Sequence, residues 1–238
     1  VISLRLGVEE KKKTEQMREE WIANISHDLK TPLSSIKGYS EMLADEDYSF
    51  SQGETRYYAG VILDKTVYLA DLIEDLRLNQ QLQGKSLSML RKRRNLTLFM
   101  RQVIIEILNH PNYSTRSLTF EASNEIILFN FDERLLKRSL VNLVMNALIH
   151  NPPETEIMIS LEEEKEEIIL IIEDTGRGMS ETDLEKLFNR YYRGTNTTDF
   201  QGSGLGMAIA KELIEAHQGT LDVESQVNQG TKITITFS

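Results

Sequence analysis

From residue 10 to residue 79 the apolar side chains recur at three- and four-residue steps, a spacing that a strand would scatter over both faces and a helix gathers into one stripe. Ile22, Ile25, Leu29, Leu33, Ile36 and Leu43 mark one long amphipathic helix over roughly residues 10–45. After the polar stretch ADEDYSFSQGET, Tyr58, Ile62, Leu69, Leu72, Ile73 and Leu76 mark a second helix that ends near Asn79. Two helices joined by a loop form a hairpin, and a hairpin alone leaves part of its stripe in water. A second copy packed against it completes a four-helix bundle, so a homodimer is expected.

The polar NQQLQGKS reads as a linker, beyond which short strands alternate with helices. The predicted organisation is residues 1–14 as the start of a helix arriving from upstream, 15–82 as a helical domain and 86–238 as an α/β domain. Within the second domain, strands are expected near Asn95–Thr97, Ser117–Glu121 and Ile126–Phe129, and helices near Met100–Leu108 and Asp132–His150. EIMISLEEEKEEIILIIED reads as a hairpin with a solvated acidic tip, its second strand so uniformly apolar that burial on both faces is expected up to Asp174. Gly204–Gln218 is expected to be a helix, and GTLDVESQVNQGTKITITF a closing hairpin. The class is α+β.

Composition narrows the function. Lys+Arg 27 against Asp+Glu 37 gives a net charge of −10, with no long basic block, so no nucleic-acid partner is expected. The absence of cysteine removes disulfides, thiol catalysis and thiolate metal sites. No apolar run reaches the ~18 residues of a membrane helix, and no cleavable signal is visible. The opening VISLRLGVEEKKKTEQMREEW runs straight into a helix, so the natural protein is expected to extend upstream.

Three patterns in the second domain bear on chemistry. In RSLVNLVMNALIHNP, Asn142 and Asn146 stand four apart on one helix face, away from Leu140, Leu143, Val144 and Leu148. In IIEDTGRGM, an apolar strand delivers Asp174 to a Gly-x-Gly turn, placing a carboxylate that can accept from the exocyclic amine of adenine beside exposed amides. In GSGLGMAIAKELIEAH, Gly202, Gly204 and Gly206 lead into a helix whose free N–H groups and dipole favour phosphate. Taken singly, each pattern is also what a solvent-facing amide pair or a plain turn looks like.

Their order is more specific. An asparagine helix, an Asp-x-Gly-x-Gly turn, the aromatic and basic LFNRYYRG with Phe188, then Gly-x-Gly-Leu-Gly: this succession resembles the ATPase domain of sensor histidine kinases, and SHDLKTPL resembles their phosphoacceptor helix. His27 is followed by Asp28, a carboxylate able to hold one ring nitrogen, and by Thr31 on the same face; Pro32 lacks an N–H and is expected to bend the helix just past the histidine.

The resemblance implies a hairpin forming a dimeric four-helix bundle, followed by an α/β sandwich of the Bergerat (GHKL) ATP-binding type, with a mixed sheet covered by helices on one face. It implies autophosphorylation of His27 by Mg·ATP and transfer to an aspartate of a response regulator, with Thr31 placing water for the regulator's dephosphorylation. Asn146 and Asn142 would ligate Mg²⁺, Asp174 would hold adenine, and Gly176 and Gly178 would allow its close approach. Gly202, Gly204, Leu205 and Gly206 would form the phosphate side; Thr231 would join the nucleotide site, and His150 is a candidate to lie against adenine. Arg190 or Arg193 would neutralise developing charge. Tyr191 and Tyr192 read as core packing, with lid packing or contacts to the helical domain as the alternatives, and His217 as a cation at a helix C-terminus.

The family's usual Lys or Arg three residues after the second asparagine is Ile149 here, so one phosphate contact is either missing or supplied by Arg177 or Lys211, and Thr175 stands where Asn is usual. The resemblance also implies an upstream sensor at a bacterial inner membrane, with this part facing the cytoplasm. Two alternatives stay open at this point: a non-kinase ATPase clamp of the same fold, and a dimeric scaffold that binds ATP without transferring phosphate.

Overall fold

The computed structural model describes residues 2–165, 167–190, 192 and 204–238, with side-chain detail beginning at Ile22. Residues up to Arg77 form one compact unit and those from Leu78 onward a second. Thirteen elements follow in chain order: α1 (Ile2–Ala44), α2 (Gln52–Gln83), β1 (Lys92–Asn95), α3 (Leu96–Leu108), β2 (Leu118–Ala122), β3 (Leu128–Phe131), α4 (Glu133–Ile149), β4 (Ile157–Glu164), β5 (Glu167–Asp174), α5 (Glu181–Lys186), α6 (Gly206–Ala216), β6 (Gly219–Gln226) and β7 (Gly230–Phe237).

The hairpin expected from the periodicity is present. Its second helix starts with a capping box: the Ser51 amide donates to the Glu54 carboxylate at 2.8 Å, and the Glu54 amide donates to the Ser51 hydroxyl at 3.2 Å. Tyr58 stacks on Tyr39 and meets Phe50 edge-on, both at 5.4 Å between centroids, which ties the loop to both helices. Ile22, Leu33, Leu63, Val67 and Ile73 remain exposed, the uncovered apolar stripe of a hairpin taken alone. The second helix passes the expected stop at Asn79 because glutamine, although polar, is a good helix former. It ends at Gly84 and at Lys85, whose φ is 49°.

In the second unit a five-stranded sheet runs in the order β2-β4-β5-β7-β6; β2 and β4 are parallel and every other pairing is antiparallel. β1 and β3 form a separate antiparallel pair. Helices α3, α4 and α6 supply Phe99, Met100, Leu140, Leu143, Val144, Ala210 and Ile214 to one core with Ile159, Leu170, Ile235 and Phe237 of the sheet. That core covers one face only. The second strand of the acidic hairpin is therefore not buried on both faces as expected: Ile168, Leu170 and Ile172 are buried, while Ile169 and Ile171 on the other face are half-exposed. A continuous apolar run does not report that alternation, since only the covering layer decides it.

Several boundaries shift by two or more residues; the strand expected at 126–129 lies at Leu128–Phe131 and the helix expected from Gly204 starts at Gly206. The first strand lies at Lys92–Asn95 rather than 95–97, because Asn95 turns the chain by accepting from the amides of Thr97 and Leu98, and the helix begins at Leu96 rather than Met100. The short α5, capped by Ser180, has too few residues to show a helical period.

His217 is no cation at a helix end. It is 2% exposed, its Nδ1 donates to the Leu213 carbonyl at 2.7 Å and its Nε2 accepts from the Asp132 amide at 3.1 Å, a pattern that requires the neutral ring. Asp132 also caps α4 at Leu135 and accepts from the Leu90 amide at 2.7 Å, so one buried residue pair joins the end of α6, the start of α4 and the entry to the domain.

Burial holds the His217 imidazole below its ordinary value of 6.5. As pH falls through that ordinary value the unfolded chain takes up a proton that the folded chain refuses, so stability drops on the acid side. His217→Leu should cost about 1–3 kcal/mol at pH 7 by orphaning two backbone groups. Urea unfolding of the variant should also show a shallower decline between pH 7 and pH 5 than the parent shows.

Candidate functional site

Each unit carries its own cluster. In the first, His27 lies on the exposed side of α1, its side chain 78% exposed, while the neighbouring Asp28 side chain is only 9% exposed; His27 Nδ1 stands 3.6 Å from Asp28 Oδ1. That is longer than a hydrogen bond but close enough for the carboxylate to steady charge on the ring. The Thr31 hydroxyl donates to the His27 carbonyl at 3.1 Å, and Ser35 to the Thr31 carbonyl at 3.3 Å. Pro32 sits inside a helix that continues to Ala44. A missing amide at Pro32 and hydroxyl bonds to carbonyls on either side are both recognised causes of helix bending, and they collect within two turns of the histidine.

In the second unit the site is built at the ends of α4, β5 and β7. Asp174 is the last residue of β5 and falls on the buried face of the sheet, 7% exposed. Burial pushes its carboxyl up from the ordinary carboxylate range, while the Gly176 amide, the Asn151 side chain and the Thr231 amide act in the opposite direction by donating to the charged form. The Gly176 contact measures 2.9 Å. Thr231 stands opposite Asp174 in β7, and its hydroxyl lies 2.9 Å from Ser225, which also accepts from the Met179 amide at 2.9 Å.

On α4, Asn142 and Asn146 share the half-buried side as expected. Asn142 Nδ2 donates to the Gly206 carbonyl at 3.1 Å, leaving its Oδ1 as an available oxygen donor; for Asn146 no side-chain hydrogen bond is found among the described residues. Two carboxamide oxygens suit a hard cation that keeps waters and phosphate oxygens in its shell. Among the described residues no group of three or more His, Cys, Asp or Glu is placed to hold a metal ion. His150 caps the end of α4, and burial holds its imidazole below the ordinary value, hence neutral.

The glycines divide by purpose. A Cβ at Gly178, where φ is +61°, would meet the Gln226 carbonyl oxygen at 1.9 Å, so this glycine serves the approach of the β6–β7 turn. A Cβ at Gly176 would meet Asn151 Oδ1 at 1.9 Å. The close approach expected at these two positions is thus made by the protein's own groups. Gly204 has φ +66°, and Gly206 has ordinary room, 3.5 Å from Asn142. Leu205 is buried at the N-cap of α6, and its apolar side chain makes no capping hydrogen bond.

Of the remaining expected residues, Arg190, Lys211 and Tyr192 have side-chain partners within the domain, and Arg177 is engaged through its backbone amide. Arg190 pairs with Glu212 at 2.5 Å, and Lys211 stands over the Phe188 ring at 4.7 Å. The Arg177 amide donates to Asn151 Oδ1 at 2.9 Å. Tyr192 donates to Asp183 at 2.5 Å. Arg193, Gly202 and Tyr191 lie outside the described residues.

Asn151 escaped the sequence reading. An asparagine before Pro152, just past a helix, looks like turn punctuation, and nothing local reveals that its side chain reaches residues 174–177.

Comparison with known proteins follows the same division. Residues 17–84 match the His Kinase A (phospho-acceptor) domain, and residues 131–238 match the histidine kinase-, DNA gyrase B-, and HSP90-like ATPase family. Sensor histidine kinase YvrG of Bacillus subtilis is 45% identical over 236 residues, 99% of this chain and 41% of that protein. Sensor protein SrrB of Staphylococcus aureus is 30% identical over 93% of this chain and 38% of its own length. The chain therefore spans about two fifths of the curated relatives it matches. Among solved structures, Acinetobacter baumannii histidine kinase AdeS shares the fold with a TM-score of 0.67 at 22% identity, covering 89% of this chain and 97% of that one.

The glycine geometry separates fold from ligand. Gly178→Ala should lower unfolding free energy by about 2 kcal/mol or more, through backbone strain and a blocked turn. Gly206→Ala, at a helix start with room for a methyl, should stay within about 0.5 kcal/mol of the parent. Chemical denaturation of the two variants side by side measures both.

Proposed function

Because the chain belongs to the sensor histidine kinases of two-component systems, we propose that it moves the γ-phosphoryl group of ATP onto its own His27 and then to an aspartate of a response regulator. The observation that carries this reading is the pairing of an exposed imidazole with a buried carboxylate inside the phospho-acceptor match. Asp28 stands on the Nδ1 side, which leaves Nε2 as the nucleophile. The Nε2 lone pair forms the N–P bond as the bond from the γ-phosphorus to the bridging oxygen breaks, and ADP leaves with that electron pair. The ring gains positive charge in the step, and Asp28 offsets it across 3.6 Å. The exposure of His27 serves both exchanges, since donor and regulator must each reach it in turn.

On the nucleotide side, Asp174 accepts from the adenine amine, with Thr231 and the Gly176 turn fixing its direction. The start of α6 at Gly206, where the helix dipole favours negative charge, is the candidate phosphate side. Asn146 and Asn142 would hold Mg²⁺, which supplies charge neutralisation between the phosphates. Phosphoryl transfer depends chiefly on position and electrostatics, so residues that orient the chain of phosphates carry the catalysis. Thr31, with its hydroxyl one turn from His27, is the candidate to place water when the regulator is dephosphorylated.

We assign residues 15–82 to phosphoacceptor and dimerisation, and 86–238 to nucleotide binding. The exposed Leu33, Leu63, Val67 and Ile73 support a homodimer built through a four-helix bundle. Among the described residues no helix is long and apolar enough to cross a membrane. The sensor names of relatives that extend well beyond the matched part support an upstream sensor at a bacterial membrane, with this region on the cytoplasmic side.

Incubation with γ-labelled ATP and Mg²⁺ should give a label stable to alkali and lost in acid, the behaviour of a phosphoramidate. The label should fall to background in His27→Gln while ATP binding stays within about twofold. ATP binding with phosphate release but no labelled histidine would instead identify an ATPase clamp.

A further inference from the structure

Asn151 lies just past α4, and its carboxamide reaches two separate parts of the fold. Nδ2 donates to the Ala147 carbonyl in the last turn of that helix at 3.0 Å, and Oδ1 accepts from the Arg177 amide at 2.9 Å. The same carboxamide fills the space beside Gly176, the residue whose amide holds Asp174. One side chain therefore straps the turn after β5 to the helix that bears Asn142 and Asn146.

The Asp174 carboxylate is held through the turn that follows it. The Gly176 amide takes Oδ1 at 2.9 Å, Asn151 holds the next amide, that of Arg177, and Thr231 stands opposite Asp174 in β7. With Oδ1 engaged by the turn, the direction of Oδ2 is fixed by the same turn. An acceptor fixed in that way can take a donor such as an exocyclic amine and repels a carbonyl oxygen in the same place. Gly176 belongs to the same device, because any side chain there would occupy the space of the Asn151 carboxamide.

We propose that Asn151 is a positioning residue that sets base specificity, holding Asp174 and the following amides so that the site takes a purine with an exocyclic amine at the 6-position and rejects one with a carbonyl there. This rests on Asp174 being the base contact. A hydroxyl side chain at 151 could donate to Asp174 but could not also hold the Ala147 carbonyl and the Arg177 amide, so it would do part of the task.

The test uses the whole chain and calorimetric titration with Mg·ATP and Mg·ITP, which differ in the 6-substituent of the purine and, with it, in the proton on N1. The parent should prefer ATP. Asn151→Leu, close in shape but without the amide, should lose about tenfold in ATP affinity and less than about twofold in ITP affinity. Asn151→Ser should fall between. In an Asp174→Asn background, Asn151→Leu should change the ATP:ITP ratio by less than about twofold, since the two act as one unit.

Equal losses for both nucleotides, or a ratio change that adds to that of Asp174→Asn, would overturn the positioning role while leaving the base contact standing. A parent protein that binds ATP and ITP equally would overturn the base contact and this inference with it.

Discussion

The sheet is covered on one face only, and most of the functional geometry follows from that. Along β5 the residues at alternate positions turn inward: Ile168, Leu170, Ile172 and then Asp174. Three aliphatic side chains anchor the strand under α4 and α6, and the fourth inward position carries a carboxylate. A one-residue slip would send Asp174 to solvent and Glu173 inward, so the register that buries the core also aims the site. The desolvation that raises the Asp174 carboxyl has the same origin, and the donors from Gly176, Asn151 and Thr231 counter it.

The turn after that strand shows how packing and ligand recognition share the same atoms. Glycine at 178 is required by the Gln226 carbonyl and glycine at 176 by Asn151, both groups of the protein itself. Gly206, in contrast, has room for a side chain. Similar-looking glycines in one sequence thus answer to different constraints. The buried pair of His217 and Asp132 works in the same manner at the other end of α4, where a neutral imidazole completes backbone hydrogen bonding that helix ends leave open.

The helical unit follows simpler rules. Its apolar stripe is legible from the chain itself, and its capping box at Ser51 and Glu54 and its stop at Gly84 and Lys85 are equally local in origin. His27 could be picked out because Asp28, Thr31 and Pro32 surround it, and the structure adds the contrast in burial between the histidine and Asp28. The excess length of α2 was hidden because polarity was taken for a break, although glutamine favours helix.

The sequence by itself determined the helical hairpin and most of the succession of strands and helices, and it singled out His27, Asn142, Asn146 and Asp174 as candidates, because periodicity and short motifs are local properties of the chain. Tertiary structure alone decided which face of β5 is buried, that His217 is a neutral strut, that Arg190 is engaged by Glu212, and that Asn151 reaches the turn after Asp174. Each of these depends on partners distant in sequence. The spacing of residues along a chain carries no record of which of them will meet once the layers have packed.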